Sequence, residues 1–141
     1  MCQMHNASQI KEFLFAGNAT ITIKSQVSGN HYTYNVSKLQ GENKPELWFV
    51  SLLTGPDTFT YVGVIDAPNY TLRLTKKSSF KEESIPVKAF NFFLSYTMRE
   101  EMAPKMEVRH ESSCGRCGRP LTTPESIDRG IGPDCWVKMG H

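Results

Sequence analysis

The chain has 141 residues, room for one ordinary core or for a core of about a hundred residues carrying a small stapled appendage. Charged residues make up 21% and balance to a formal +2, with ten Lys/Arg against nine Asp/Glu over residues 1–104 and six against five over residues 105–141, which counts against tight duplex-DNA binding through phosphates. No apolar run approaches the roughly 18 residues of a membrane span, and the first residues lack the order of a signal peptide, so a cytosolic protein with no membrane contact is expected.

Residues 1–18 are mixed, and Ser8 to Phe15 suit either a short helix or a lead-in. From Ala19 the chain alternates, with Thr20, Thr22 and Lys24 between Ile21, Ile23 and, after Ser25, Val27, which is the period of a half-buried strand. Ser28-Gly29-Asn30-His31 then tolerates positive φ, and Tyr32 to Val36 returns as a second strand. Ser37 to Pro45 is polar and reads as a protruding loop. Glu46 to Leu53 is almost continuously apolar and suits a central strand, buried on both faces or on one with a twist. Thr54-Gly55-Pro56-Asp57 turns the chain into a partner strand, Phe59 to Ile65, and Tyr70 to Leu74 alternates once more. Five strands joined by short turns predict an antiparallel meander, open or curled into a small barrel. Pro86 opens a helix through about Met98, whose Val87, Phe90, Phe93 and Leu94 share one apolar face that should cover the sheet. Arg99 to Glu107 is charged and contains Pro104, and the domain boundary is placed there. The expected organisation is therefore α+β: residues 1–104 a sheet-plus-helix domain, residues 105–141 a separate metal knuckle.

That second part holds three of the four cysteines. Cys114 and Cys117 stand in the order C-x2-C with Gly118 behind them, and Cys135 follows a Gly-Ile-Gly-Pro turn. The spacing lets two thiolates face one ion while the glycine turns the chain beneath it and the distant cysteine closes the loop. A closed structural Zn2+ site takes four ligands. His110, one short turn upstream of Cys114, is the first choice for the fourth, and His141 is the second. Metal-free buried or redox cysteines are the alternative, but no strand-then-helix pattern surrounds the pair and a third cysteine accompanies it. Three protein ligands plus water would make a catalytic zinc, for which histidine or carboxylate ligands and a nearby base would be wanted. Thr122 to Ser126 reads as turn-rich, and Pro133 opens a short last helix bearing Cys135, an arrangement like a treble clef. Cys2 is left as a free thiol in a polar segment.

The run C-G-R-C-G-R-P-L-T-T-P-E-S-I-D-R-G-I-G-P-D-C resembles an uncharacterised zinc-knuckle family of bacteriophage and mobile-element proteins, in which His110, Arg119, Leu121, Ser126 and Gly130 to Pro133 also match. Phrases at Ser25 to Tyr34, Trp48 to Pro56 and Thr60 to Gly63 are similar to the N-terminal parts of the same phage proteins. The resemblance implies a phage or prophage setting and a zinc module, and it suggests an inhibitor; it carries no activity to transfer.

No phosphate-cradling loop, dinucleotide fingerprint or deaminase zinc pattern is present, and the four histidines do not suggest a nucleophilic triad. The chain reads as a binding module rather than an enzyme, an adaptor or inhibitor of a host or phage protein, with a nucleic-acid accessory role as the alternative and a metal-dependent enzyme as a minor third. Two surfaces are candidates for the partner. Arg116, Arg119 and Arg129 could form a cationic rim around the knuckle, with structural duty an equal reading for each. Tyr32, Tyr34, Trp48, Phe49, Phe59 and Tyr61 lie on adjacent predicted strands, where aromatics could stack single-stranded bases or simply fill a half-buried sheet, with Tyr32, Tyr34 and Tyr61 the first to test.

Overall fold

The computed structural model describes residues 2–140 apart from 42, 44 and 122. Along the chain run β1 (Cys2–Met4), α1 (Ala7–Leu14), β2 (Asn18–Ser25), β3 (His31–Lys38), β4 (Leu47–Leu53), β5 (Phe59–Asp66), β6 (Thr71–Arg73), α2 (Ile85–Met98), β7 (Met106–His110), α3 (Pro124–Arg129) and α4 (Pro133–Lys138). The strands form one antiparallel sheet of seven in the order β1-β7-β2-β3-β4-β5-β6. The meander expected from the alternation is β2 to β6, and β1 and β7 extend it beyond β2.

Register fixes which side chains share a face. Ile21 pairs with Tyr34 and Ile23 with Tyr32, while Tyr34 pairs with Leu52 and Val36 with Val50, so these residues line the inner face. Their neighbours Thr20, Thr22, Thr33 and Asn35 lie on the outer face, where Thr22 and Thr33 share a hydroxyl hydrogen bond of 2.7 Å and the Asn35 amide donates to Asn18 at 2.9 Å. β4 follows the same alternation, with Trp48, Val50 and Leu52 buried and Phe49 exposed, so it is covered on one face only.

Two helices cover the inner face. In α1 the Asn6 side chain accepts from the Gln9 N–H at 3.1 Å, capping a helix whose Ile10, Phe13 and Leu14 stand at the i, i+3, i+4 spacing of one buried stripe. In α2, Pro86 in the first turn suits a helix start, and Val87, Phe90, Phe93 and Leu94 are buried as the periodicity predicts. The Phe90 ring lies 4.8 Å from Tyr34, whose hydroxyl donates to the Pro86 carbonyl at 2.6 Å. Tyr34 is fully buried, and burial pushes its phenol pKa up. It is a core residue, not a stacking surface.

The sheet crosses the boundary expected near residue 104. β7 sits between β1 and β2, pairing Val108 with Ile23 and with Met4, and Val108 is buried in the common core. Its five residues lie among charges just after Pro104, which made them resemble a linker. β1, at three residues, is too short to display an alternation. The cysteine segment thus leaves the sheet at residue 111 instead of forming a unit that begins at residue 105.

If β7 is integral to the sheet, a chain ended after residue 104 leaves the inner residues Ile21 and Ile23 bare at a raw edge. It is expected to lose the cooperative thermal transition, whereas a chain ended after residue 111 keeps it. Circular-dichroism melts of the two truncations check this, and a cooperative melt of the shorter one would restore the boundary at 104.

Candidate metal centre

After β7 the backbone makes a tight knuckle. Ser113 bridges to Pro120, the Cys114 N–H donates to the Arg119 carbonyl at 2.8 Å, and the Gly118 N–H returns to the Cys114 carbonyl at 2.8 Å. Gly118 has φ 80°, the left-handed conformation that C-x2-C-G requires and that a side chain would strain. The segment read as turn-rich contains α3: the Thr123 hydroxyl accepts from the Ser126 N–H at 3.3 Å, Pro124 opens the helix, and Gly130 at φ 76° closes it. At six residues with a proline at its start, α3 is too short to show a periodic apolar face, so the sequence alone suggested a loop. Gly132 and Pro133 then start α4, which carries Cys135 in its first turn as expected.

These elements bring the Sγ atoms of Cys114, Cys117 and Cys135 within 4.8 Å of one another. Thiolates on a tetrahedral zinc lie roughly 3.8 Å apart given Zn–S bonds near 2.3 Å, so the cluster needs little contraction to hold such an ion. Cys114 and Cys135 are buried and Cys117 is exposed. Burial raises the Cys114 thiol, but hydrogen bonds from the Gly132, Cys117 and Arg116 backbone and from the Cys117 side chain outweigh it and bring the pKa from 9.0 down to about 7. The Arg116 N–H lies 3.4 Å from Cys114 Sγ and its guanidinium 3.6 Å from Cys135 Sγ. Burial raises Cys135, and the Arg116 guanidinium opposes that rise. Of these sulfurs Cys114 is the one the site favours in the negative form, in which cysteine binds metal, while Cys135 stays above its ordinary pKa, with the neighbouring Cys117 and Cys114 adding to the effect of burial. The three cysteines could hold a metal ion.

His110 does not join them. Its ring is buried on the inner face, with Nδ1 accepting from the Ser112 N–H at 2.9 Å. That leaves the proton on Nε2, which donates to the Ile127 carbonyl of α3 at 2.6 Å. Both nitrogens are committed, so the expected Cys3His set with His110 is corrected: this histidine fastens α3 to the end of β7. The second choice, His141, lies outside the described residues. Arg116 and Arg119 do line a recess of about 220 Å3 beside the thiols, together with Lys138 and Asp134. Arg129 does not line it; its guanidinium lies 4.4 Å from the Trp136 ring centroid. The three tyrosines do not share a surface either, since Tyr34 is core, Tyr32 is on the inner face opposite Ile23, and Tyr61 pairs with Ser51 on the outer face.

Sequence reasoning missed Phe13. A Cβ on Gly115 or Gly130 would come within 2.5 and 2.6 Å of its ring, and the same ring lies 5.6 Å from His110. The knuckle is seated on this side chain, and the Asn18 N–H donates to the Gly115 carbonyl at 2.7 Å alongside it. The available signal was the Ile10-Phe13-Leu14 spacing in a stretch left unassigned.

Residues 104–140 match a family of unknown function (DUF6011), which covers the cysteine motif and β7. No curated protein and no solved structure matches the chain significantly. Among the described residues no helix is long and apolar enough to cross a membrane.

Two outcomes are expected. Phe13→Ala should cost about 3–5 kcal/mol in denaturant unfolding and loosen the cysteine loop as well as α1, read as increased amide exchange at Gly115 and Gly130. Exchange that rises only in α1 would show the loop to be seated elsewhere. His110 supplies a pH dependence: burial lowers its pKa below the ordinary 6.5, against the opposing hydrogen bond to Ile127. The unfolded chain therefore takes up a proton near pH 6.5 that the folded chain refuses, so the stability this residue gives is complete above that pH and is lost as pH falls below it. Between about pH 7 and pH 5 the wild-type thermal midpoint should fall more steeply than that of His110→Asn, which has no such proton. Parallel curves would exclude the neutral buried histidine.

Proposed function

We propose that the chain is a small zinc-containing binding protein, working in the host cytosol in a phage or prophage setting as an adaptor or inhibitor of a macromolecule and without catalysis of its own. The observation that carries the metal part is the convergence of the Cys114, Cys117 and Cys135 sulfurs beneath α4. Three thiolates suit zinc among biological ions, and a thiolate set is that of structural rather than hydrolytic sites. When bound, zinc would supply a cross-link between the knuckle and the helix-borne cysteine. With both nitrogens of His110 engaged, the fourth ligand passes to His141, the remaining choice of the sequence, with Asp134 on the recess wall as its competitor.

The binding role is supported by the recess itself, where Arg116, Arg119 and Lys138 gather positive charge on a chain that is otherwise balanced. A carboxylate-bearing protein surface is the partner this rim suits, and a nucleic-acid phosphate is the second reading that the same charges favour. Ionic strength separates the two when the purified chain is passed over immobilised single-stranded DNA or RNA, because retention through phosphates must weaken steeply with salt.

Purified protein should contain about one zinc per chain by elemental analysis with all thiols reduced. Less than about a third of an equivalent would refute the site. His141→Ala should lower zinc retention against a chelator, while Asp134→Asn and His110→Asn leave it near wild type; the reverse order would make Asp134 the ligand. Because structural zinc contributes on the order of 10 kcal/mol to small modules, chelation or Cys117→Ser should loosen residues 115–139, read as lost amide dispersion there, while the dispersion of β2 to β7 persists.

A further inference from the structure

Helix α2 carries a second apolar stripe besides the one it buries. Ile85 and Phe92 are 63% and 42% exposed, with half-buried Ala89 between them, and the Phe92 ring lies 5.1 Å from Tyr96. This stripe forms one wall of a groove. Across from it stand the β2–β3 turn, where Val27 is 76% exposed, and the residues entering β7, and the three walls enclose a groove of about 710 Å3 floored by Ile23, Tyr32 and Met106. Exposed large apolar residues scattered singly are ordinary, but here three line one concavity. Among the described residues the charged side chains of the lining are Lys88 and Lys105, one on the helix and one just before β7, with no carboxylate beside them.

We propose that this groove is the docking site for an acidic amphipathic segment of a partner protein. Its large apolar side chains enter between Ile85, Phe92 and Val27, and its carboxylates meet Lys88 and Lys105. A groove that offers apolar walls and positive charge selects against basic segments, since docking a lysine there places like charges together, and it draws an acidic one in by long-range attraction. Removing the three exposed apolar side chains from water supplies the non-directional part of the affinity, and the two lysines supply the orientation. This deepens the binding reading above and rests on it, but it needs neither the metal nor the arginine rim.

The zinc-loaded full chain is titrated into two labelled amphipathic probe peptides, each with leucines at i, i+3, i+4 and i+7, one with glutamates between them and one with lysines. Fluorescence anisotropy should report binding of the glutamate probe. Lys88→Glu with Lys105→Glu should weaken that binding by roughly tenfold or more and turn the preference toward the lysine probe, while Phe92→Ser should abolish both. Phe92 and the two lysines are exposed, so zinc content and thermal midpoint are measured on each variant and should stay at wild-type values. That keeps a failure of the groove distinct from a failure of the metal centre. Equal affinity for the two probes, no binding of either, or indifference to the charge reversal overturns the proposal. So does a wild-type dimer in sedimentation that Phe92→Ser dissolves, which would give the groove to a second copy of the chain.

Discussion

The Phe13 ring fills the seam between the helix-covered sheet and the cysteine loop, and the geometry of the metal centre follows from that contact. Gly115 and Gly130 close on it from the two halves of the loop, near enough that neither tolerates a side chain, and the Gly115 N–H donates to the Gly130 carbonyl at 2.7 Å behind it. A knuckle held only by its metal would be a bead on a string. Here the loop backbone is set by a dry aromatic contact and by hydrogen bonds to the start of β2 and the end of β7, so the three sulfurs are brought near one another by protein packing. Cys114, Leu121, Ile131 and Cys135 accordingly belong to the same hydrophobic core as the sheet.

The paired strands β2 and β7 connect the two surfaces to which binding is ascribed. Met106, at one end of β7, floors the apolar groove, and His110, at the other, holds α3 beneath the cysteines. At ~3.3 Å per residue the strand separates these ends by roughly 13 Å. The ladder is laid along the core, so the groove at one end and the cysteine cluster at the other share a common frame without sharing residues. The outer sheet face, by contrast, carries its own hydroxyl and amide hydrogen bonds around Thr22, Thr33 and Asn35.

His110 shows why ligand spacing alone misassigns a residue. H-x3-C is compatible with a tetrahedral site, but it equally describes the last residue of a strand followed by a short turn, and in a strand the side chain must take one face or the other. The pairing of His110 with Ile21 puts it on the inner face, where burial demands that each ring nitrogen find a partner, and the Ser112 N–H and the Ile127 carbonyl are the nearest answers.

What the amino-acid sequence determined by itself is everything that depends on local period or fixed spacing. The alternation of β2 to β6, the apolar face of α2, the glycine beneath C-x2-C and the proline-led helix bearing Cys135 are each set by residues within a few positions of one another. The tertiary structure decided what depends on register and long-range packing. It placed β7 between β1 and β2 across the expected boundary, buried Tyr34, moved Tyr32 and Tyr61 to opposite faces and took His110 out of the ligand set. Short segments such as β1 and α3 carry too few residues for a period to be visible, and they are ordered by partners far along the chain. The seating of the knuckle on Phe13 is of the same kind, since nothing near Gly115 or Gly130 in sequence announces a ring from α1 that the fold alone delivers to them.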